Sequence, residues 1–439
     1  MAANDWARRR WARRRFLTGA GALGGAAFLA ACGGGDDDDE AAQQATPASG
    51  GTAAAGGQAT PAGRQVSATK IGSFIDRTGP TANVGNPVGQ GNADFIAYAN
   101  ANNLAGRQVE AVEFDHSYAV DKSKEGYKKF VEQENVSAIL SYGTPITDAL
   151  APAAAEDEVP LYTPGFGLSE SGNGTKYPYL YVGAASYTSQ AMALLQHFKD
   201  SWKDSSRKAK VYFLYYGNAA GRDPLEAIRG QAPKMDLDLV GTLEVPATTT
   251  DLTQQMLEVK SKEPDYVMTH FFGAMPALGM KGAQQAGIAP EKYFSFVWGG
   301  GDGDFKAAGP AADNTHTLQF TTLLSENPEV WQKMKDWHTK QGKPIDESKI
   351  SDSVYYIRGV FNMGLIFESI RQAGDEDKIT GQDVKKGADS IKDFTNGGLS
   401  PGITMSASDH DGTRKVKIYQ WKNGKQNLVK DWFEGPRPS

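Results

Sequence analysis

The chain has 439 residues, 40% apolar and 22% charged, with 50 Gly and 21 Pro. That length supports a large folded body of about two domains. A formal net charge of -6 leaves no basic surplus to neutralise phosphates, so nucleic acid is not an expected partner.

The first stretch is unlike the rest. Arg8–Arg10 and Arg13–Arg15 form a cationic lead, and Phe16–Ala31 is an apolar run too short and too glycine-rich for a membrane span. Arg13-Arg14-Arg15-Phe16-Leu17 resembles the twin-arginine export signal. Leu29-Ala30-Ala31-Cys32 resembles a lipobox, in which small residues admit the signal peptidase and the cysteine sulfur takes a diacylglyceryl group. Cys32 is the single cysteine of the chain, which removes any disulfide within it. We therefore expect residues 1–31 to be an export signal and Cys32 to be lipidated. The mature protein would sit outside the cytoplasm, anchored to the cell membrane, since several acyl chains hold firmly where one is marginal.

Removing residues 1–31 takes away six Arg and Asp5, a net +5, and moves the formal charge from -6 to -11. Residues 32–66 are mostly Gly, Ala, Thr, Pro and Gln, with five consecutive acids at Asp36–Glu40. Such a segment cannot bury enough surface to offset its ordering entropy, and a flexible linker is expected.

From Thr69 onward, short apolar runs alternate with helical patterns. Strands are predicted at Lys70–Ile75, Val109–Phe114, Val136–Tyr142, Pro160–Thr163, Ala209–Tyr215, Val240–Val245, Tyr266–Phe271 and Tyr293–Trp298. Between them Ala191, Leu194, Leu195, Phe198 and Trp202 recur at the spacing of one helix face, as do Leu252, Met256 and Val259. Ile357, Val360, Phe361, Gly364 and Leu365 do the same further on. Asp223-Pro224-Leu225-Glu226 reads as a capping box, Asp251-Leu252-Thr253-Gln254 repeats its logic, and Thr144-Pro145 opens a helix. Alternation of this kind implies an α/β fold with parallel sheets covered by helices on both faces. The strands are too many for one comfortable sheet, and Tyr179–Ser186 is a plain extended stretch, so two similar lobes joined there are expected.

Three motifs in register resemble one family. Ile71-Gly72-Ser73 leads into Thr78-Gly79-Pro80-Thr81-Ala82-Asn83-Val84-Gly85, and Ala155–Val159 leads into Pro160-Leu161-Tyr162-Thr163-Pro164. Asp409-His410-Asp411-Gly412 precedes the run Val416–Trp421. Together they resemble type I periplasmic binding proteins of the branched-chain amino acid group, the solute-binding subunits of ABC importers. The resemblance covers about residues 69–435. It implies two Rossmann-like lobes with parallel sheets joined by three crossovers, near Tyr181–Ser186, Thr317–Thr321 and Ser400–Thr404. Lobe 1 would comprise 69–184 plus 320–400 and lobe 2 185–319 plus 403–439. A monomer that hinges shut on one small ligand and presents it to the permease subunits is the expected arrangement.

In amino-acid-binding relatives the ligand carboxylate meets a hydroxyl and backbone amides. Tyr142 is a candidate ligand contact, Thr144 just after it at a helix start takes the hydroxyl position, and Gly165-Phe166-Gly167 takes that of the amide loop. Strand ends at Tyr215-Tyr216, Phe271-Phe272 and Trp298 place rings before glycines. One ring of each pair is expected in the core, which leaves Tyr216, Phe272 and Trp298 for the cleft. The tyrosine beside the ligand amine in relatives appears here as Phe272 and its acid as Trp298, with Asp302 close by. An unpaired buried ammonium costs several kcal/mol, so an aromatic or otherwise apolar carboxylate fits better than a free aliphatic amino acid. Arg222 is a further candidate contact, weighed against a solvated or lobe-bridging role.

Signs of catalysis are poor. The chain has no GxxxxGK[ST], HExxH or GxSxG, and its six His are dispersed, without metal-ligand spacing. No cofactor is expected. A ligand-sensing receptor subunit of the same fold is the alternative class, and a surface hydrolase lipoprotein a distant one.

Overall fold

The computed structural model describes residues 66–438. The export signal, Cys32 and the linker as far as residue 65 lie outside the described residues. Among those described, no helix is long and apolar enough to cross a membrane.

Five strands form the first sheet: β1 (Thr69–Ile75), β2 (Val109–Asp115), β3 (Ala138–Leu140), β4 (Leu161–Tyr162) and β5 (Leu180–Tyr181). All are parallel, in the order β2-β1-β3-β4-β5. β1 lies inside the sheet between β2 and β3, and Ile71, Phe74 and Ile75 are fully buried. Such burial on both faces is why it reads as a near-continuous apolar run.

The second sheet holds β6 (Ala209–Tyr216), β7 (Leu237–Val245), β8 (Tyr266–His270), β9 (Tyr293–Ser295), β10 (His316–Gln319), β11 (Val416–Lys422) and β12 (Lys425–Phe433). Its order is β12-β11-β10-β9-β8-β6-β7. β7-β6-β8-β9-β10 is parallel and repeats the order of the first sheet, and the β11–β12 hairpin is added antiparallel beyond β10. The architecture is thus mixed α/β, with two lobes built on sheets dominated by parallel pairing.

Several boundaries differ from the sequence expectation. The run Val136–Tyr142 is strand only over Ala138–Leu140, because the chain turns at Gly143, whose φ is +83°. The run Tyr293–Trp298 pairs only to Ser295 and then coils into a single turn at Val297–Gly299. Tyr179–Ser186 is not plain, since Leu180–Tyr181 pairs with β4. Thr317–Gln319, expected in a crossover, belongs to β10. The capping box at Asp223 does not form: the helix Leu225–Gln231 starts without a side-chain cap, and the Asp223 carboxylate accepts hydrogen bonds from Ser169 instead. Asp251 does accept from the Thr253 amide, at 2.7 Å.

The helix Ser353–Gln372 packs along the helix Ala82–Ala101 on glycine contacts. A Cβ on Gly359 would lie 2.1 Å from the Val88 carbonyl oxygen, and one on Gly91 2.0 Å from that of Tyr356. Neither backbone can yield without parting the helices. Gly359→Val should therefore cost about 1–3 kcal/mol or more, read as a lower denaturant midpoint. Gly230→Ala, where an added Cβ meets nothing, should leave that midpoint unchanged or raise it, since Ala is the better helix former.

Candidate functional site

In a doubly wound sheet the strand order reverses beside the first strand, and the loops there diverge to leave a crevice at the carboxyl ends. The reversal falls between β1 and β3 in the first sheet and between β6 and β8 in the second. A cavity lies among loops from both. Thr81 comes from the loop after β1, Ser141, Tyr142 and Gly143 follow β3, Phe272 follows β8 and Trp298 follows β9. Tyr118, Phe166, Tyr187 and Asn362 complete its polar and aromatic lining. About 50 Å³ is open to the centres of water-sized spheres, room for a few waters or one small organic molecule.

Hydrogen bonds inside the loops shape the walls. Buried Asp76 accepts from the Gly79 amide at 2.5 Å, the Thr81 amide at 2.9 Å and the Thr81 hydroxyl at 2.6 Å, which bends the Thr78–Thr81 loop into the helix behind it. Tyr142 donates to Thr81 at 3.3 Å, and the Ser141 and Thr147 hydroxyls are 2.8 Å apart. The hydroxyl of Tyr118 engages Asn218, and that of Tyr187 engages Thr144. Burial holds the Tyr118, Tyr142 and Tyr187 hydroxyls well above the usual tyrosine range, so all three stay neutral.

The two sheets are tied together over the cavity. Trp298 Nε1 donates to the Gly165 carbonyl at 2.8 Å, Asn83 donates to the Gly273 carbonyl at 3.3 Å, and the Ser169 amide donates to Asp223 at 2.9 Å. Six aromatic rings (Tyr118, Tyr142, Phe166, Tyr187, Phe272 and Trp298) line the space. Among the described residues no charged side chain does.

Tyr142, Phe166, Phe272 and Trp298 therefore meet where the sequence placed a site. Thr144, Gly165, Gly167, Tyr216 and Asp302 do not line the cavity. Thr144 is fully buried and its Oγ1 accepts from the Gly167 amide at 3.2 Å, so that amide is already engaged with protein. Gly165 gives its carbonyl to Trp298 and packs against Phe320. Tyr216 stacks on the Phe272 ring, with ring centroids 4.2 Å apart. Asp302 turns away, accepting from Ser353 and, at 3.1 Å, from Gln426. Arg222 is exposed and pairs with Glu244 on β7, a solvated ion pair.

Thr81, Tyr118, Tyr187 and Asn362 were not foreseen. Tyr118 carries a signal only in its backbone, at φ +56°, a left-handed conformation uncommon outside glycine. Asn362 was legible in principle: it is a lone amide in the apolar run Val360–Ile366.

Two imidazoles stand behind the walls. His116 lies 5.3 Å from the Tyr142 ring and His270 4.2 Å from that of Tyr187, and no ring nitrogen of either has a partner. Burial pushes His116 down to about 4 and His270 down to about 3. With folded values below the ordinary 6.5, the stability from keeping these rings neutral is complete above that value and is lost as pH falls. Each unit costs up to about 1.4 kcal/mol per group. His270→Phe should hold or raise Tm at neutral pH, because an apolar ring replaces an unsatisfied one. Its Tm should also fall less than that of the unaltered chain between about pH 6.5 and pH 4.5. Parallel thermal melts across that range check this.

A family profile described as "Periplasmic binding protein" matches residues 68–426. No curated protein matches the sequence. Among solved structures, one described as an ABC transporter permease from the Pseudomonas fluorescens group is 23% identical, with a TM-score of 0.76 over 84% of this chain and 93% of that one. A branched-chain amino acid ABC transporter protein from Thermus thermophilus with bound valine is 24% identical, with a TM-score of 0.73 over 84% and 97%. A solute-binding protein from R. palustris in complex with benzoate is 18% identical, with a TM-score of 0.67 over 83% and 96%.

Proposed function

The chain belongs to the periplasmic binding protein family, and on that premise we propose that it is a lipid-anchored solute-binding subunit delivering a small aromatic or apolar carboxylate to an ABC importer. The observation that carries this reading is the ring-lined cavity between the carboxyl ends of two matching sheets, bridged by the Trp298–Gly165 hydrogen bond. A free amino acid would bury an ammonium there, and the one nearby acid considered for it, Asp302, is held by Ser353 and Gln426. Rings facing the ligand favour a flat or apolar body, each adding about 0.5–1.5 kcal/mol beyond area burial. The benzoate held by the relative from R. palustris is of that class; the valine held by the one from Thermus thermophilus is the competing one.

Lobe 1 spans 69–184 plus 320–400 and lobe 2 185–319 plus 403–439 on this reading, which the separate membership of β1–β5 and β6–β12 in two sheets supports. The protein acts as a monomer. It closes on its ligand and opens when the inter-sheet hydrogen bonds part, giving the permease a shape to read. Cys32 carries the lipid, and residues 1–31 are removed on export.

Three measurements test the proposal. In a thermal-shift screen, benzoate-like acids should raise Tm most and leucine and valine least, since ligand at about a hundred times Kd stabilises by about 2.7 kcal/mol. The reverse order would return the protein to the amino acid binders. Trp298→Ala should weaken binding more than Arg222→Ala, because the first removes a wall and the second an exposed pair. Mass spectrometry of membrane-extracted protein should find a diacylated Cys32 at the new amino terminus; an intact Met1 would refute the anchor.

A further inference from the structure

Among the contacts that tie the two sheets together, those of Ser169 stand apart from the cavity wall. Ser169 opens the turn Ser169–Gly172, in the chain that follows β4. Its amide and its hydroxyl both donate to the Asp223 carboxylate, which comes just after the short helix Ala219–Arg222 that follows β6. Its Oγ also accepts from the Thr188 amide at 2.9 Å, in the first turn of the helix Tyr187–Ser201 that leads into β6. One serine on the first-sheet side is thus held by three hydrogen bonds to two elements on the second-sheet side. None of the three residues lines the cavity, and all three bonds must part for the lobes to open.

A second acid belongs to the same seam. Asp148 lies four residues past Thr144 on the helix Thr144–Asp157, so the two share a helix face. Thr144 is the residue on that face that meets Gly167 and the Tyr187 hydroxyl. The charged groups that act on Asp148 are themselves acids, Asp223 and Glu170. The cations of the surrounding elements are engaged elsewhere: Lys122 with Ser117, Lys124 with Asp121, Lys176 with Glu170 and Arg222 with Glu244. Burial, and then the charges of Asp223 and Glu170, push Asp148 up to about 7. Burial also raises Asp223 to about 6, against the Ser169 hydrogen bonds that pull it down. Like charges in a half-dry seam repel, and a proton on one of them removes the repulsion.

We propose that the Ser169–Asp223 contact is a latch of the closed form and that Asp148 is its acid-sensitive opener: ionised, Asp148 pushes against Asp223, and protonated, it lets the latch hold. The proposal rests on the reading that the two lobes close on a ligand. It does not rest on the ligand class, because neither Asp148 nor the latch lines the cavity.

The sign follows from the raised value. Closure takes up a proton, so its cost is complete above about pH 7 and fades as pH falls from there toward the ordinary carboxylate value of 3.8. Affinity should therefore be nearly level above pH 7 and rise below it, by up to about 10-fold per pH unit for one proton. A carboxylate ligand stays ionised down to about pH 6, and His116 and His270, held at about 4 and about 3, stay neutral.

Calorimetric titration of the whole exported chain with benzoate and with valine at about pH 8, 7 and 6 tests the latch. Whichever probe binds should gain no more than about 2-fold from the first to the second of these and about 3- to 10-fold from the second to the third. Asp148→Asn should bind more tightly than the unaltered chain at the highest pH and lose the slope; Asp148→Ser serves if that variant misfolds. Ser169→Ala should weaken binding about 10-fold or more through faster release. An unaltered chain without the slope, an Asp148→Asn variant that keeps it, or a Ser169→Ala variant that binds equally overturns the proposal. Valine bound with the slope while benzoate is silent removes the ligand class and leaves the latch standing. If neither probe binds, ligand-free thermal melts decide. Asp148→Asn should then lead the unaltered chain in Tm above about pH 7 and lose that lead toward about pH 4.5, and parallel profiles overturn the latch.

Discussion

The constraint on which this molecule turns is the reversal of strand order beside the first strand of each sheet. Helices that follow β1 and β3 must cover opposite faces, so the loops leading to them separate, and the same happens after β6 and β8. Two crevices result, and bringing them face to face makes one shared space. Asp76 shows how local chemistry serves that geometry: one buried carboxylate gathers three donors from Gly79 and Thr81. Without it the first loop would have no reason to turn tightly into the helix Ala82–Ala101.

Charge has been moved out of the space and placed behind it. Rings and neutral hydroxyls make the walls, while Arg358, Asp304 and Asp352 are buried beyond Trp298. Burial raises Asp304 to about 7, with the Tyr355 hydroxyl opposing the shift at 2.6 Å, and raises Asp352 to about 6. The same burial lowers Arg358 to about 10, against the pull of Tyr355, Asp352 and Asp304. A dry cluster of this kind costs desolvation and gives directionality. Here it fixes the Trp298 backbone through Tyr355, which donates to the Trp298 carbonyl at 2.9 Å, and so holds one wall of the cavity at a set angle.

The contrast between Trp298 and Tyr216 shows how finely the cleft is set. Both follow strands of the second sheet and both are aromatic. Trp298 reaches across to Gly165 and closes the space, whereas Tyr216 stops against Phe272 and stays half in solvent. Strand ends of equal appearance in the sequence have unequal roles because β6 and β9 occupy different places in the sheet.

The sequence alone determined the alternation of strands and helices, the parallel sheets and the family, because hydrophobic period and loop glycines are local properties of the chain. It also placed Tyr142, Phe166, Phe272 and Trp298 at strand ends, where an open α/β sheet puts its ligand. Tertiary structure decided what those neighbours do. Thr144 and Gly167 were each legible as anion donors, and only their contact shows that the Gly167 amide already donates to the Thr144 hydroxyl oxygen. Asp302 was legible as a nearby acid, and only the approach of Ser353 and Gln426 turns it away. Asn362 lies more than two hundred residues from Tyr142 along the chain. Its place at the cavity depends on two glycine-lined helices packing together, a long-range contact that no local pattern encodes.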